Sequence, residues 1–189
     1  MADSAAPTFK PVPLPHDSSV APGFHVPYAA RESPFGLGLF AVCDIPAGTL
    51  LWKYSAAPGG NVLSFRTEAE ARERLRALAT HEERVFWMDH VYMFDGKLNE
   101  ILDDGKLWNH SAEPCTGLPP AGDGYDIESS YAVRNVKAGE QLLDDYGTYE
   151  YPEWYERLCA EFGVSREFVE KREEKPALPE RIVVVAPPQ

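Results

Sequence analysis

Three short blocks of this 189-residue chain carry the residue types whose order could do chemistry. The first, Gly36-Leu37-Gly38-Leu39-Phe40-Ala41, matches G-x-G-x-x-A, which in a dinucleotide site follows a strand, opens a helix and has an acid about twenty residues on. Here the polar Arg31-Glu32-Ser33-Pro34 precedes it, an apolar strand-like run follows, and 55–62 holds no acid, so the block reads as a glycine turn between strands. Its value to a ligand is exposed backbone N–H and C=O. In the second block, Asn109-His110-Ser111, adjacent amide and imidazole groups offer donors and acceptors on two sides of a ligand, or serve as turn chemistry. Zinc binding by His110 with Cys115 lacks the paired spacing and further ligands of such a site, and no local signature supports a Cys-His nucleophile. The third block, Gly139 to Gly147, puts Tyr146 at a strand end before a glycine; alone, such a ring packs a core as readily as it reacts.

Stepping outward, Leu39 to Val42 and Thr49 to Trp52 read as two strands around the Pro46-Ala47-Gly48 turn. Tyr131 to Val136 and Gln141 to Leu143 form a second strand–turn–strand unit. Thr67 with Glu70 spells a capping box, and Ala71, Leu75, Leu78 and Ala79 share one helical face, which predicts a helix over 68–79. Thr80 with Glu83 repeats the signal before Val85, Phe86 and Trp87. Pro152 suits a first helical turn, and Tyr155, Leu158, Cys159 and Phe162 share a face that Gly163 can close. The stretch 95–126 reads as loop with short extended pieces, 165–175 as a charged helical segment, and Arg181 to Val185 as a late edge strand free to pair with a partner's edge. Five prolines within 1–22 favour an extended arm.

A 44% hydrophobic content suffices for one core. The net charge of −12 argues against phosphate backbones and anionic membranes as partners and favours basic ones. Cys43, Cys115 and Cys159 are odd in number and far apart, which fits a reducing compartment. With no secretory signal or membrane-length apolar run, an intracellular location is expected, nucleus and cytoplasm being unresolved.

Taken in order, the blocks resemble the SET-domain protein lysine methyltransferases. Arg31 to Ala41 followed by Ile45-Pro46-Ala47-Gly48 is similar to the family's opening block, Asn109-His110-Ser111-Ala112-Glu113-Pro114 to its N-H-S-C-x-P block, and Tyr131 to Gly147 to its closing strand, G-E turn and D-Y-G end. The resemblance implies a mainly β fold (α+β) of small curved sheets with short helices, a closing segment threaded beneath a loop near Asn109, and a helical insert over about 67–92. It implies a 1–22 arm, a 23–147 catalytic domain, and a 148–189 extension and tail closing the site. The implied methyl donor is S-adenosylmethionine, cradled by the backbone at Leu37, Gly38 and Leu39 and held by Asn109 and His110; no metal is expected. Tyr146 is the implied catalytic tyrosine, Tyr54 and Tyr131 are implied to line a lysine channel, and Asp144 either faces that channel, where it would attract a lysine ammonium, or ends in solvent at the loop edge.

The sequence departs from that pattern at three places. Ala112 stands where the family has cysteine, Cys115 where asparagine is common, and Asp144 where relatives place a channel Phe or Tyr. The cysteine-rich zinc segment that many members carry after the domain is absent, so 149–162 is expected to close the site, with Trp154 over the cofactor and Tyr155 over the lysine; packing of these rings onto the core is the alternative. The expected partner is a basic, lysine-containing protein, a histone tail first among them. An inactive module that binds a basic peptide is the competing expectation, and oligomeric state is left open.

Overall fold

The computed structural model describes residues 23–118, 125–149, 151–163 and 182–185. The arm at 1–22 and the charged segment at 165–175 lie outside them. Eleven short strands and three helices are present among the described residues. The strands form three small sheets.

The first sheet has the order β11-β1-β2-β10-β7, built from β1 (Tyr28–Ser33), β2 (Gly36–Ala41), β7 (Asn109–His110), β10 (Gln141–Asp144) and β11 (Ile182–Val185). A strand therefore does precede the glycine block, contrary to the sequence reading. Ala29 and Ala30 are both fully buried, so β1 shows no apolar–polar alternation that would reveal it. It returns through a tight turn into antiparallel β2 with no helix, which still excludes a dinucleotide turn. The late strand pairs with β1 of its own chain, Tyr28 opposite Val185, rather than being left with a free partner edge on that side.

The second sheet joins β3 (Leu50–Trp52), β9 (Ser130–Ala132) and β8 (Thr116–Gly117). Both strand–turn–strand units inferred from sequence are thereby split between sheets: β2 and β10 lie in the first, β3 and β9 in the second. The turns that join them meet instead at the Ile45–Val136 bridge.

The third sheet is β4 (Val62–Phe65), β6 (Lys97–Ile101) and β5 (Val91–Phe94). It carries helices α1 (Glu68–Ala77) and α2 (His81–His90), each started by a complete capping box, Thr67 with Glu70 and Thr80 with Glu83. Both are the helices the sequence predicts, α2 running three residues past Trp87. The strand β6 is one of the short extended pieces expected within 95–126. Its buried Asn99 breaks the apolar pattern and is satisfied by Ser64 Oγ at 2.7 Å and the Lys97 carbonyl at 3.1 Å.

Two apolar cores result. One gathers Leu39, Leu51, Trp52, Trp108 and Leu142 between the first two sheets. The other gathers Leu75, Trp87, Met88 and Leu98 with Tyr155, Leu158 and Cys159 of α3 (Glu153–Glu161), whose N-cap is Pro152. The apolar face of α3 is thus the one its spacing predicts, and it packs on the helical insert.

The buried carboxylate of Asp103 joins distant segments. It accepts hydrogen bonds from Gly23 N at 2.7 Å, Trp52 Nε1 at 3.0 Å, Asn61 Nδ2 at 3.0 Å and Gly105 N at 2.9 Å. Without it these donors would be buried unpaired, at roughly 1–3 kcal/mol each where no water replaces the acceptor. Asp103→Ala is therefore expected to destabilise the fold by about 3–5 kcal/mol. Urea unfolding followed by tryptophan fluorescence checks this, and an unchanged midpoint would refute the keystone role.

Candidate active site

The closing strand β10 positions the site. On one edge it pairs antiparallel with β2, Leu142 opposite Leu39; on the other it runs parallel to β7, Leu143 opposite Asn109. The chain after β7 then folds back over it. Ser111 N donates to the Asp144 carbonyl at 2.9 Å, while Cys115 N and Thr116 Oγ1 donate to the Leu143 carbonyl at 3.1 and 2.9 Å. Leu143 N in turn donates to Cys115 Sγ at 3.4 Å. The cysteine that departs from the usual pattern is thus a fully buried clamp on the closing strand, and burial raises its thiol pKa.

Beyond β10 the chain turns at Tyr146. Its backbone N–H donates to His110 Nδ1 at 3.0 Å, which puts the proton of a neutral imidazole on Nε2. Its hydroxyl donates to the Trp108 carbonyl. Asn109 faces the other way: its amide nitrogen donates to Ser33 Oγ at 3.3 Å and to the Leu37 carbonyl at 3.2 Å, tying β7 to the glycine block. Gly38 lets both amides close on the β2 backbone, since a Cβ would stand 2.7 Å from Asn109 Nδ2 and 2.3 Å from Gln141 Nε2 and would push these side-chain ends away.

A cleft of about 1430 Å³ lies between the two cores, and its walls include Leu37, Asn109, His110, Asp144, Tyr146 and Tyr149 but not Gly38. Of the expected cofactor cradle, Leu37 reaches the cleft at 44% exposure, whereas Leu39 is wholly buried and paired on both sides. Tyr155 borders the cleft but is buried in the helical core, its hydroxyl donating to the Met88 carbonyl. Trp154 packs edge-on against Tyr155 outside the cleft wall, the core-packing alternative for that ring. Tyr54 and Tyr131 are likewise not on the wall: the Tyr54 hydroxyl lies 2.8 Å from Ser64 Oγ, and that of Tyr131 accepts from Asp126 N at 2.9 Å.

Tyr92 and Tyr149 take the place on the wall expected of Tyr54 and Tyr131. Their rings lie 5.4 Å apart, and Tyr149 is 6.0 Å from Tyr146. The sequence offers only the aromatic run from Tyr146 to Tyr155 as a hint of Tyr149, and nothing that brings Tyr92 to it. Burial pushes both hydroxyls well above the usual tyrosine pKa, with the Asp144 charge adding to each. Asp144 Oδ2 accepts the Tyr149 hydroxyl at 2.6 Å, and Oδ1 accepts Asp145 N at 2.9 Å. Burial raises the Asp144 carboxyl pKa against the opposite pull of these two hydrogen bonds. Among the described residues the wall carries the carboxylates of Asp89, Glu113, Glu128, Asp144 and Asp145 but only one lysine or arginine, Lys106. Such a cleft attracts cations. Among the described residues no group of three or more potential metal ligands occurs.

A SET-domain family model matches residues 36–147, from the glycine block to the glycine after Tyr146. The chain belongs to the SET-domain family. This is a family of protein lysine methyltransferases, and its α+β arrangement of small sheets is the one described above. Among solved structures, a Plasmodium falciparum protein titled as a candidate histone methyltransferase is similar at 17% identity and a TM-score of 0.43, over 69% of this chain and 99% of its own. No curated protein matches the chain.

Because Asn109 spans Ser33 and Leu37, Asn109→Ala removes two bonds and loosens β7 from the glycine block. A stability loss of about 1–2 kcal/mol is expected. It is read as a lowered urea midpoint, and an unchanged midpoint would show that the amide is dispensable.

Proposed function

We propose that this protein is an S-adenosylmethionine-dependent protein lysine N-methyltransferase acting on a basic segment of another protein, a histone tail being the first candidate. The observation that carries this reading is the double tether of Tyr146, through its N–H to His110 and its hydroxyl to the Trp108 carbonyl, at the border of an acidic, tyrosine-lined cleft.

The cleft suits the donor. Gly36 has no heavy atom within 4 Å of where a Cβ would stand, so the backbone beside Leu37 is open to a ligand. The His110 Nε2–H and the Asn109 side-chain oxygen supply one donor and one acceptor next to it. Surrounding carboxylates favour a cationic sulfonium and a cationic substrate alike. When bound, the donor supplies an electrophilic methyl group to an amine.

The chain's own residues do the positioning. With its proton committed to the Trp108 carbonyl, the Tyr146 oxygen keeps lone pairs that accept an amine N–H and orient the nitrogen for in-line attack. The Tyr92 and Tyr149 rings desolvate the side chain that enters, which favours the neutral, nucleophilic amine.

The test is incubation with methyl-labelled S-adenosylmethionine, core histones, basic peptides and cell lysate. Label on lysine is expected, and Tyr146→Phe should lower kcat by roughly a hundredfold or more, as loss of one polar group at a reacting centre does, with cofactor affinity retained. Wild-type turnover in that variant, or cofactor binding with no labelled product, would overturn the reading. Ionic strength gives an independent check. Raising it from 50 to about 300 mM salt should increase KM for a basic peptide several-fold more than KM for the cofactor, because screening weakens steering of the more highly charged ligand. Equal insensitivity of both would remove the role assigned to the acidic wall.

A further inference from the structure

The carboxylate of Asp144 borders the cleft with His110 as its nearest imidazole. Among the described residues no lysine or arginine forms an ion pair with it. It is nevertheless held in place at both oxygens, Oδ2 by the Tyr149 hydroxyl at 2.6 Å and Oδ1 by the Asp145 amide at 2.9 Å. Carboxylate oxygens have about four lone-pair sites between them, so these two bonds orient the group without saturating it. Gly117 lies beside Oδ1, where an added Cβ would be in van der Waals contact at 3.5 Å. The titratable groups facing it are Tyr149 and Asp145 beyond the strand, His110 on β7, and Tyr92 on β5. The His110 imidazole is already engaged, its Nδ1 accepting the Tyr146 N–H at 3.0 Å and lying 3.8 Å from Asp145 Oδ1. An oriented, desolvated carboxylate between tyrosine rings is therefore a ready acceptor for an incoming ammonium.

We propose that Asp144 is the proton acceptor for the target lysine, held in register by Tyr149. This rests on the methyl-transfer reading above. A lysine enters as its ammonium, the form that predominates near neutral pH given an ordinary pKa of about 10.4. One N–H proton passes to Asp144, giving a neutral amine and a neutral carboxylic acid. The amine lone pair then forms the new N–C bond as the S–C bond of the sulfonium donor breaks, its electron pair remaining on sulfur. The product leaves as a methylammonium, and Asp144 returns its proton to solvent. Transfer within the cleft replaces two separated charges by two neutral groups in a site where both charges are desolvated. A carboxyl group whose proton affinity is raised by burial is better matched to this task than an ordinary one.

The pH dependence of kcat/KM distinguishes this route from loss of the proton to bulk water. With Asp144 as acceptor, the reactive pair is free lysine ammonium and ionised Asp144. The wild-type profile is then a plateau between the Asp144 pKa, which lies above the usual carboxylate range, and the lysine pKa near 10.4. Asp144→Asn must bind amine that is already neutral, so its log kcat/KM should climb with a slope of about 1 from pH 7 to 10. At pH 7.5 its value should be lower by a hundredfold or more, in line with the usual contribution of a general base. Tyr149→Phe removes a hydrogen bond that favours the ionised carboxylate, so its acid limb should move to higher pH while the plateau persists.

Binding without the donor supplies a readout other than turnover. Wild type should prefer a lysine peptide over the same peptide with norleucine by at least about tenfold, and Asp144→Asn should lose most of that preference. Circular dichroism of the near-isosteric Asn variant confirms that it is folded. An unchanged pH profile and unchanged lysine preference in Asp144→Asn would overturn the proposal. If wild type keeps its Asp144-dependent lysine preference but transfers no methyl, the methyl-transfer reading fails and the proton step with it, while the ammonium contact stands. If wild type transfers methyl and only the Asp144→Asn profile is unaltered, the proton step alone is refuted.

Discussion

Everything at the site depends on the closing strand being held at both edges. A β-strand between two neighbours spends its backbone hydrogen bonds in both directions, and β10 has β2 on one side with β7 and the chain after it on the other. Three groups converge on Leu143 alone: the Cys115 sulfur on its N–H, and the Cys115 amide and Thr116 hydroxyl on its carbonyl. Releasing the strand would strand these buried groups, each loss costing about 1–3 kcal/mol where no water enters. The turn that carries Tyr146 follows directly. Its position is inherited from strand pairing, and its own bonds to His110 and Trp108 refine the orientation.

The cleft exists because the protein has two cores rather than one. The first sheets bury their apolar faces around Leu39, Leu142 and Trp108, while the helical insert and α3 bury theirs around Leu75, Trp87 and Leu158. The seam between them is the cleft. Asp103 keeps the seam in register, since its carboxylate reaches from the residue before the 3₁₀ turn at Asp104–Leu107 to Trp52 and Gly23 in the sheet core. The ion pair of Arg72 with Glu161 connects α1 with α3, but it is partly solvent-exposed and contributes little next to the burial of Leu158 and Tyr155.

Charge and aromatic character coincide on the seam. Tyr92, Tyr146 and Tyr149 border the cleft together with the carboxylates of Asp89, Glu113, Glu128, Asp144 and Asp145. Desolvation and countercharge act in opposite directions on an amine, the first favouring the neutral form and the second the charged one. Placing Asp144 among the tyrosines makes both available in one volume. The net charge of −12, a solubility feature when taken by itself, gains a direction because five of the carboxylates border this cleft.

The sequence by itself determined the local elements. Both capping boxes, the apolar faces of α1 and α3 and the order of the three motif blocks were legible, since each depends on residues three or four positions apart or on the identity of a short run. Tertiary structure alone decided which strands pair, that a strand precedes the glycine block, that Tyr92 and Tyr149 line the cleft, and that Asp103 and Asp144 have the partners they do. Those outcomes rest on contacts such as Gly23 with Asp103 and Asn109 with Ser33, separated by 80 and 76 residues along the chain. Burial supplies the reason. A buried polar group such as Asn99 or Asp103 reads as loop or surface in a sequence, and only the hydrogen-bond partners brought to it by distant segments make its burial tolerable.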